Sequence, residues 1–250
     1  MNEEITKLLK PLAKTSTKLN LKKVDNFEDL PLIGTHFGGQ PYAEAGDEYP
    51  VCPTCSNSLT FIYQIDTRQG FHEKPKHIEF FTFFYCVKCF PWGFENDPKG
   101  QWIVRTYNQP DEIKFVKIQP YTKTLYEVQP CIVNAEKITI FPDYEELDNL
   151  SIEISNAVKE INIEDFWDEY DEAVEELGGF TSSASTIGGY PFWVQNADVF
   201  NCEICENRMK LLVQIDSEED ANLNWGDSGL IYLFFCENHP AEIKFTLQCY

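Results

Sequence analysis

Two apolar stretches separated by a polar loop, Leu59–Ile65 and Ile78–Tyr85, recur later in the chain as Met209–Ile215 and Leu230–Phe235. Runs of this length, bounded by turn residues, predict strands, and two leaving and returning to one end predict an antiparallel hairpin in each copy. Shorter strand-like runs follow at Ile113–Ile118, Leu125–Val128 and Lys137–Phe141, and a last strand is expected at Ile243–Cys249. Helical spacing is clearest where Ile163, Phe166, Trp167, Tyr170, Val174 and Leu177 share one face. Asn162 is the expected N-cap of that helix and Gly178-Gly179 its end. The first residues form a short amphipathic stretch interrupted by Pro11.

The recurrence is an internal repeat. Residues 38–89 align with 188–239 without a gap, at a constant offset of 150. Gly38-Gly39-x-Pro41 matches Gly188-Gly189-x-Pro191, and Gln64-Ile65-Asp66 matches Gln214-Ile215-Asp216. Cys52, Cys55 and Cys86 match Cys202, Cys205 and Cys236, and Cys89 falls on His239. Substitution of cysteine by histidine keeps a zinc-ligand type, which chance similarity has no reason to do. Each copy therefore presents two ligand pairs at the base of a hairpin. The expected centres are Cys52, Cys55, Cys86 and Cys89, spaced C-x2-C-x30-C-x2-C, and Cys202, Cys205, Cys236 and His239. Zinc suits four thiolates, or three and an imidazole, in a tetrahedron; an iron–sulfur centre is the rival chemistry for the all-cysteine set. Two zinc ions per chain are expected, both structural, because four protein ligands leave no position for substrate. Cys131 and Cys249 have no local partner and are expected to be packing residues.

The predicted fold is α+β, mostly antiparallel β, an internal duplication of a zinc-knuckle hairpin unit with a pseudo-two-fold relation. With no low-complexity linker, residues 1–250 read as a single duplicated domain. Repeat one spans 34–90, the middle strands and acidic helix 110–178, and repeat two 186–250.

Charge narrows the function classes. The 250-residue chain is 43% hydrophobic, enough for a core, yet its formal net charge is −21. Such a surface repels phosphates and favours basic protein partners. Between Asp143 and Glu176 fourteen carboxylates face one lysine, Lys159. A run of this kind is commonly a solvated helix face. The alternative is a partner surface, formed by Glu164, Asp165, Asp168, Glu169, Asp171, Glu172, Glu175 and Glu176. Trp225 and Asp227, in the loop Trp225-Gly226-Asp227-Ser228-Gly229, join that candidate surface. Asp66 and Asp216 could be imagined as a carboxylate pair, but their repeat-related places after a strand read as turn or capping residues. No Walker loop, nucleophile elbow, HExxH or dinucleotide fingerprint occurs, so the chain is not expected to be an enzyme. No stretch of about 18 apolar residues occurs, so no membrane span is expected. With no secretory h-region, and with CxxC pairs reading as metal ligands in a reducing compartment, the cytoplasm is the expected location.

The segments Gly188-Gly189-Tyr190-Pro191, Leu211–Asp216, Trp225–Gly229 and Leu230–Phe235 resemble the C-terminal signature of the bacterial YwqG-like family. The order Gly-Gly-x-Pro, CxxC, Gln-Ile strand and late aromatic strand ending in cysteine also resembles the programmed cell death protein 2 family, and the double resemblance implies a superfamily shared by the two. The resemblance covers approximately residues 34–90 and 186–250, not the middle segment. It implies an α+β fold with internal duplication, toxin–immunity settings on the bacterial side and chaperoning of a basic ribosomal protein on the eukaryotic side. Many YwqG-like members lack CxxC pairs, which places this chain nearer the cysteine-bearing branch. No catalytic residue carries over. The expected function is thus a zinc-stabilised acidic cytosolic factor that binds a basic protein. The alternatives are an RNA-associated zinc-ribbon protein using the basic loop Arg68, His72, Lys74, Lys76 and His77, and an uncharacterised hydrolase. The sequence assigns no small-molecule ligand.

Overall fold

The computed structural model describes residues 2–250 except 69, 73–74, 94–97 and 161–165. Among these residues ten strands form one antiparallel sheet: β1 (Lys14–Lys23), β2 (His36–Phe37), β3 (Thr60–Asp66), β4 (Phe80–Tyr85), β5 (Trp102–Tyr107), β6 (Cys131–Ile140), β7 (Thr186–Ile187), β8 (Lys210–Asp216), β9 (Leu230–Phe235) and β10 (Ile243–Gln248). The spatial order is β10-β9-β8-β7-β1-β6-β2-β3-β4-β5. That order is a palindrome of the repeat, with β7, β8 and β9 standing where β2, β3 and β4 stand in the other half. Both hairpins carry a bulge at the same place, between Phe61 and Tyr63 and between Leu211 and Val213.

The leading strands are exchanged between the halves. β2 pairs with β6, far ahead in the chain, and β7 pairs back to β1. Thr17 opposite Ile187 is equivalent to Cys131 opposite Phe37. The axis relating the halves therefore crosses the β1–β6 ladder where Asn20 faces Asn134. The sheet curls into a nearly closed barrel. Phe245 of β10 lies 5.3 Å from Trp102 of β5 and stacks on Phe83 of β4 at 6.0 Å. Trp92 O accepts a hydrogen bond from Leu247 N–H across the remaining gap. Alternation puts Leu19, Tyr63, Phe83, Val213, Leu233 and Phe245 on the concave side, in one core drawn from both halves.

The acidic middle segment is more helical than the sequence pattern predicts. Before it comes α1 (Asn2–Leu9), and within it lie α2 (Tyr144–Leu150), α3 (Ile152–Glu160) and α4 (Phe166–Glu176). Ile5, Leu9, Leu147, Val158, Ala173 and Val174 bury one another in a second, smaller core. The expected N-cap Asn162 and the neighbouring Ile163, Glu164 and Asp165 lie outside the described residues. The expected C-terminus is found: Gly178 takes φ +73° and Gly179 N–H reaches back to Val174 O. None of the described helices is long and apolar enough to cross a membrane.

Two expected strands are not formed. Ile113–Ile118 and Leu125–Val128 are irregular, in a segment punctuated by Pro110, Pro120 and Pro130. Their backbone groups go elsewhere: Val116 N–H donates to Ala43 O and Ile118 O accepts from Gln40 Nε2. Lys137–Phe141 is the end of the longer β6, and Ile243–Cys249 is β10.

Candidate metal centres

Each hairpin leaves the sheet at a knuckle built by the same backbone bonds. Cys52 N–H donates to Asn57 O and Ser56 N–H to Cys52 O, and Cys202 and Glu206 repeat this with Asn207 and Cys202. Ser56 (φ +58°) and Glu206 (φ +59°) turn the chain in the left-handed region so that both cysteines of a CxxC face inward. One-residue bridges, Val51 to Ser58 and Asn201 to Arg208, close the base of each loop. The second pair arrives at the end of β4 or β9, where Cys86 and Cys236 follow the last strand residue.

The eight expected ligands form two groups of four, each with its ligand atoms within 4.8 Å of one another. In the first, Cys52 Sγ is 3.7 Å from Cys89 Sγ and Cys55 Sγ is 3.6 Å from Cys86 Sγ. In the second, Cys205 Sγ is 3.6 Å from Cys236 Sγ. The edge of a tetrahedron with metal–sulfur bonds of about 2.3 Å is about 3.8 Å, whereas a disulfide needs about 2.05 Å. The spacing therefore fits an ion and excludes cross-links, and all nine cysteines are free thiols. Nδ1 is the imidazole atom that faces the second group, 3.4 Å from Cys202 Sγ and 3.7 Å from Cys236 Sγ. Each group can hold one metal ion.

The thiols are electrostatically uneven. Against the cost of burial, hydrogen bonds from Asn57 N–H and the neighbouring thiols bring Cys55 down to about 7. Cys202 comes down to about 6, where burial is outweighed by the Cys205 and Ile204 amides. Burial and the other cysteines push Cys86 up to about 11. Clustered sulfurs cannot all ionise without a cation among them, so binding a dication releases protons.

The centres also cover the convex face of the sheet. Leu59, Phe61 and Phe84 pack under Cys52, Cys86 and Tyr49 in the first half. Met209, Leu211 and Phe234 do so under Cys202, Cys236 and Trp193 in the second. At each Gly-Gly-x-Pro turn lies a cleft, of about 490 Å³ in the second half and about 480 Å³ in the first. Segments of the non-repeated middle pin to equivalent knuckle positions. Ser58 and Thr122 bond each other three ways, while Arg208 pairs with Glu146 of α2.

The other candidate residues are dispersed. Asp168, Asp171, Glu172, Glu175 and Glu176 are exposed on α4, with Glu169 partly so, opposite buried Tyr170, Ala173 and Val174. Glu164 and Asp165 lie outside the described residues. Trp225 is 2% exposed and meets Tyr85 edge to face at 5.3 Å. Its place on a partner surface is thereby corrected: the loop turns the indole into the common core and leaves Asp227 and Ser228 exposed. In the basic loop, the Arg68 guanidinium grips Asp66 with two bonds of 2.8 Å, and Lys76 lies 3.5 Å from Glu237. His72 and His77 are exposed, and Lys74 is outside the described residues. Asp66 and Asp216 hold their turns, each donating its backbone N–H to a hydroxyl, Thr35 or Ser185. Cys131 is buried in the core and Cys249 half-buried. One perturbed carboxyl had no sequence signal: burial, with Asp216 and Asp220 nearby, raises Glu218 to about 7 although Ser185 bonds it.

No curated protein matches the chain significantly. Residues 35–249, which take in both centres and every strand but β1, match the family described as "Domain of unknown function (DUF1963)", and the chain belongs to it.

Proposed function

We propose that the chain is a zinc-stabilised, acidic protein-binding factor that acts on a basic protein partner, in a chaperone-like or toxin-immunity-like role, and is not an enzyme. Zinc is the ion that the ligand sets favour, because tetrahedra of four cysteines, or of three cysteines and a histidine, are its ordinary structural sites. Four protein ligands at each centre leave no position for a substrate, which supports a scaffolding role. The single observation that carries the partner reading is α4. Its exposed carboxylates, Asp168, Asp171, Glu172, Glu175 and Glu176, stand on a helix whose other face is buried, so the charge is held on a fixed surface. Unpaired thiols and metal-type spacing support a reducing, cytoplasmic setting. The cysteine-bearing branch of the YwqG-like and programmed cell death protein 2 superfamily is the sub-group this reading assigns.

The test is capture of basic proteins by the metal-loaded chain against a charge-matched acidic control. A variant with Asp168, Glu172, Glu175 and Glu176 changed to amides is compared in parallel. Selective capture by the native chain, lost in the variant, supports the reading. Capture equal to that of the control contradicts it.

A further inference from the structure

The duplication allows each half to be compared with the other, and one position that differs lies in the wall of a cavity. In the first half β2 carries His36, 1% exposed, whose ring packs edge-on at 6.0 Å against Phe61. At the equivalent position β7 carries Thr186. There a cavity of about 190 Å³ lies between α4, the start of α2 and the second Gly-Gly-x-Pro turn. Its walls include the rings of Tyr144, Phe180 and Tyr190 and the carboxylates of Asp143 and Asp171. Thr186, 3% exposed, also lines it, and its Oγ1 is buried with no hydrogen-bond partner. A small cavity with acidic groups, aromatic walls and an unused oxygen matches an organic cation: the rings attract it, the carboxylates neutralise it, and the hydroxyl accepts an N–H. These rings already take cations within the chain. Lys14 Nζ lies 3.7 Å from the Tyr190 centroid, Lys18 Nζ 4.7 Å from that of Phe180 and Lys159 Nζ 6.0 Å from that of Tyr144.

We propose that this cavity is the recognition pocket for a single basic side chain, a lysine ammonium or an arginine guanidinium, presented by the partner protein. The proposal rests on the partner reading and gives it an address. A field of exposed carboxylates attracts any basic protein, whereas a pocket of this size admits one side chain and sets register. Asp171 connects the two, being both on the acidic α4 and in the pocket wall. In the first half His36 stands at the position of Thr186, and the α4 wall formed by Tyr170, Asp171 and Val174 has no repeat counterpart there, so the pocket belongs to the second half.

The test titrates N-acetyl-arginine amide, N-acetyl-lysine amide and the neutral N-acetyl-citrulline amide into the zinc-loaded, isotope-labelled chain, following the Thr186 and Asp171 amide signals. Saturable binding of either cationic amide with none of citrulline supports the pocket, and the stronger cation names the side chain. Asp171→Asn weakens that binding by about tenfold and Thr186→Val by about threefold, the sizes of one lost charge and one lost neutral bond. Asp25→Asn, an equal charge change at an exposed site, leaves it unaltered. Absence of saturation, equal binding of citrulline, or equal loss in Asp25→Asn overturns the proposal. A chain that captures basic proteins but binds neither amide keeps the partner reading and loses the pocket; amide binding without capture does the reverse.

Discussion

His239 stands where the first half has Cys89, and the two are interchangeable as ligands only if the imidazole reaches the same point as a thiolate. Nδ1, on the near side of the ring, does so. His239→Cys is therefore expected to keep the second ion, while His239→Ala loses it, measured as metal per chain after gel filtration. Glu218 supplies a second test at this scale. Its carboxyl is raised from 4.5 to about 7 in the folded chain, chiefly by burial. Between those values the folded state holds more protons than the unfolded one, so this group costs stability as pH rises toward 7 and keeps that cost above it. Glu218→Gln, a mimic of the protonated form, is expected to stabilise the chain at pH 8 by about 1–2 kcal/mol, after discounting for its partial exposure. At pH 4.5 it changes little. Denaturant melts at both pH values decide; an equal effect at both would remove the burial argument.

At the scale of elements, the Gly-Gly-x-Pro turns fix how the chain leaves β2 and β7. Gly189 has φ +81°, and a Cβ there would come within 2.1 Å of Ile140 Cδ1 on β6. Gly189→Ala is expected to cost about 1–3 kcal/mol, strain plus overpacking, against about 1 kcal/mol for Gly46→Ala, where φ is also positive but the space is open. Thermal melts of the two variants compare them. The hairpin elements were legible because β3, β4, β8 and β9 are buried along nearly their whole length and read as apolar runs. β1 was not. Its buried positions include Ser16 and Thr17, whose hydroxyls are satisfied by residues distant in sequence: Ser16 donates to Ile187 O at 3.0 Å, and Thr17 accepts from His72 N–H. Polar residues hidden by such bonds break the apolar pattern that marks a strand. β5 stayed hidden for a different reason, since most of it is only half-buried at the edge of the sheet. The first centre's ligand pairs were legible by spacing and the second's by the repeat that aligns His239 with Cys89, whereas Thr186 and Glu218 owe their character to elements far away in sequence.

For the molecule as a whole, exchange of β1 and β6 means that neither half owns its full set of strands. The core that includes Leu19, Cys131, Phe83 and Phe245 is shared, so loss of structure at one centre is expected to spread to the other. Each centre pins two distant chain segments and covers the convex face of its hairpin, contributing on the order of 10 kcal/mol to folding when loaded. A chelator strong enough to strip one ion should therefore unfold both halves in one transition, seen as coincident loss of Trp225 and Trp193 environments. Two separated transitions would show that the halves fold independently. Elemental analysis of protein purified without chelator tests the central claim most directly. The account predicts two zinc ions per chain; one ion, or a different metal at either centre, would contradict it.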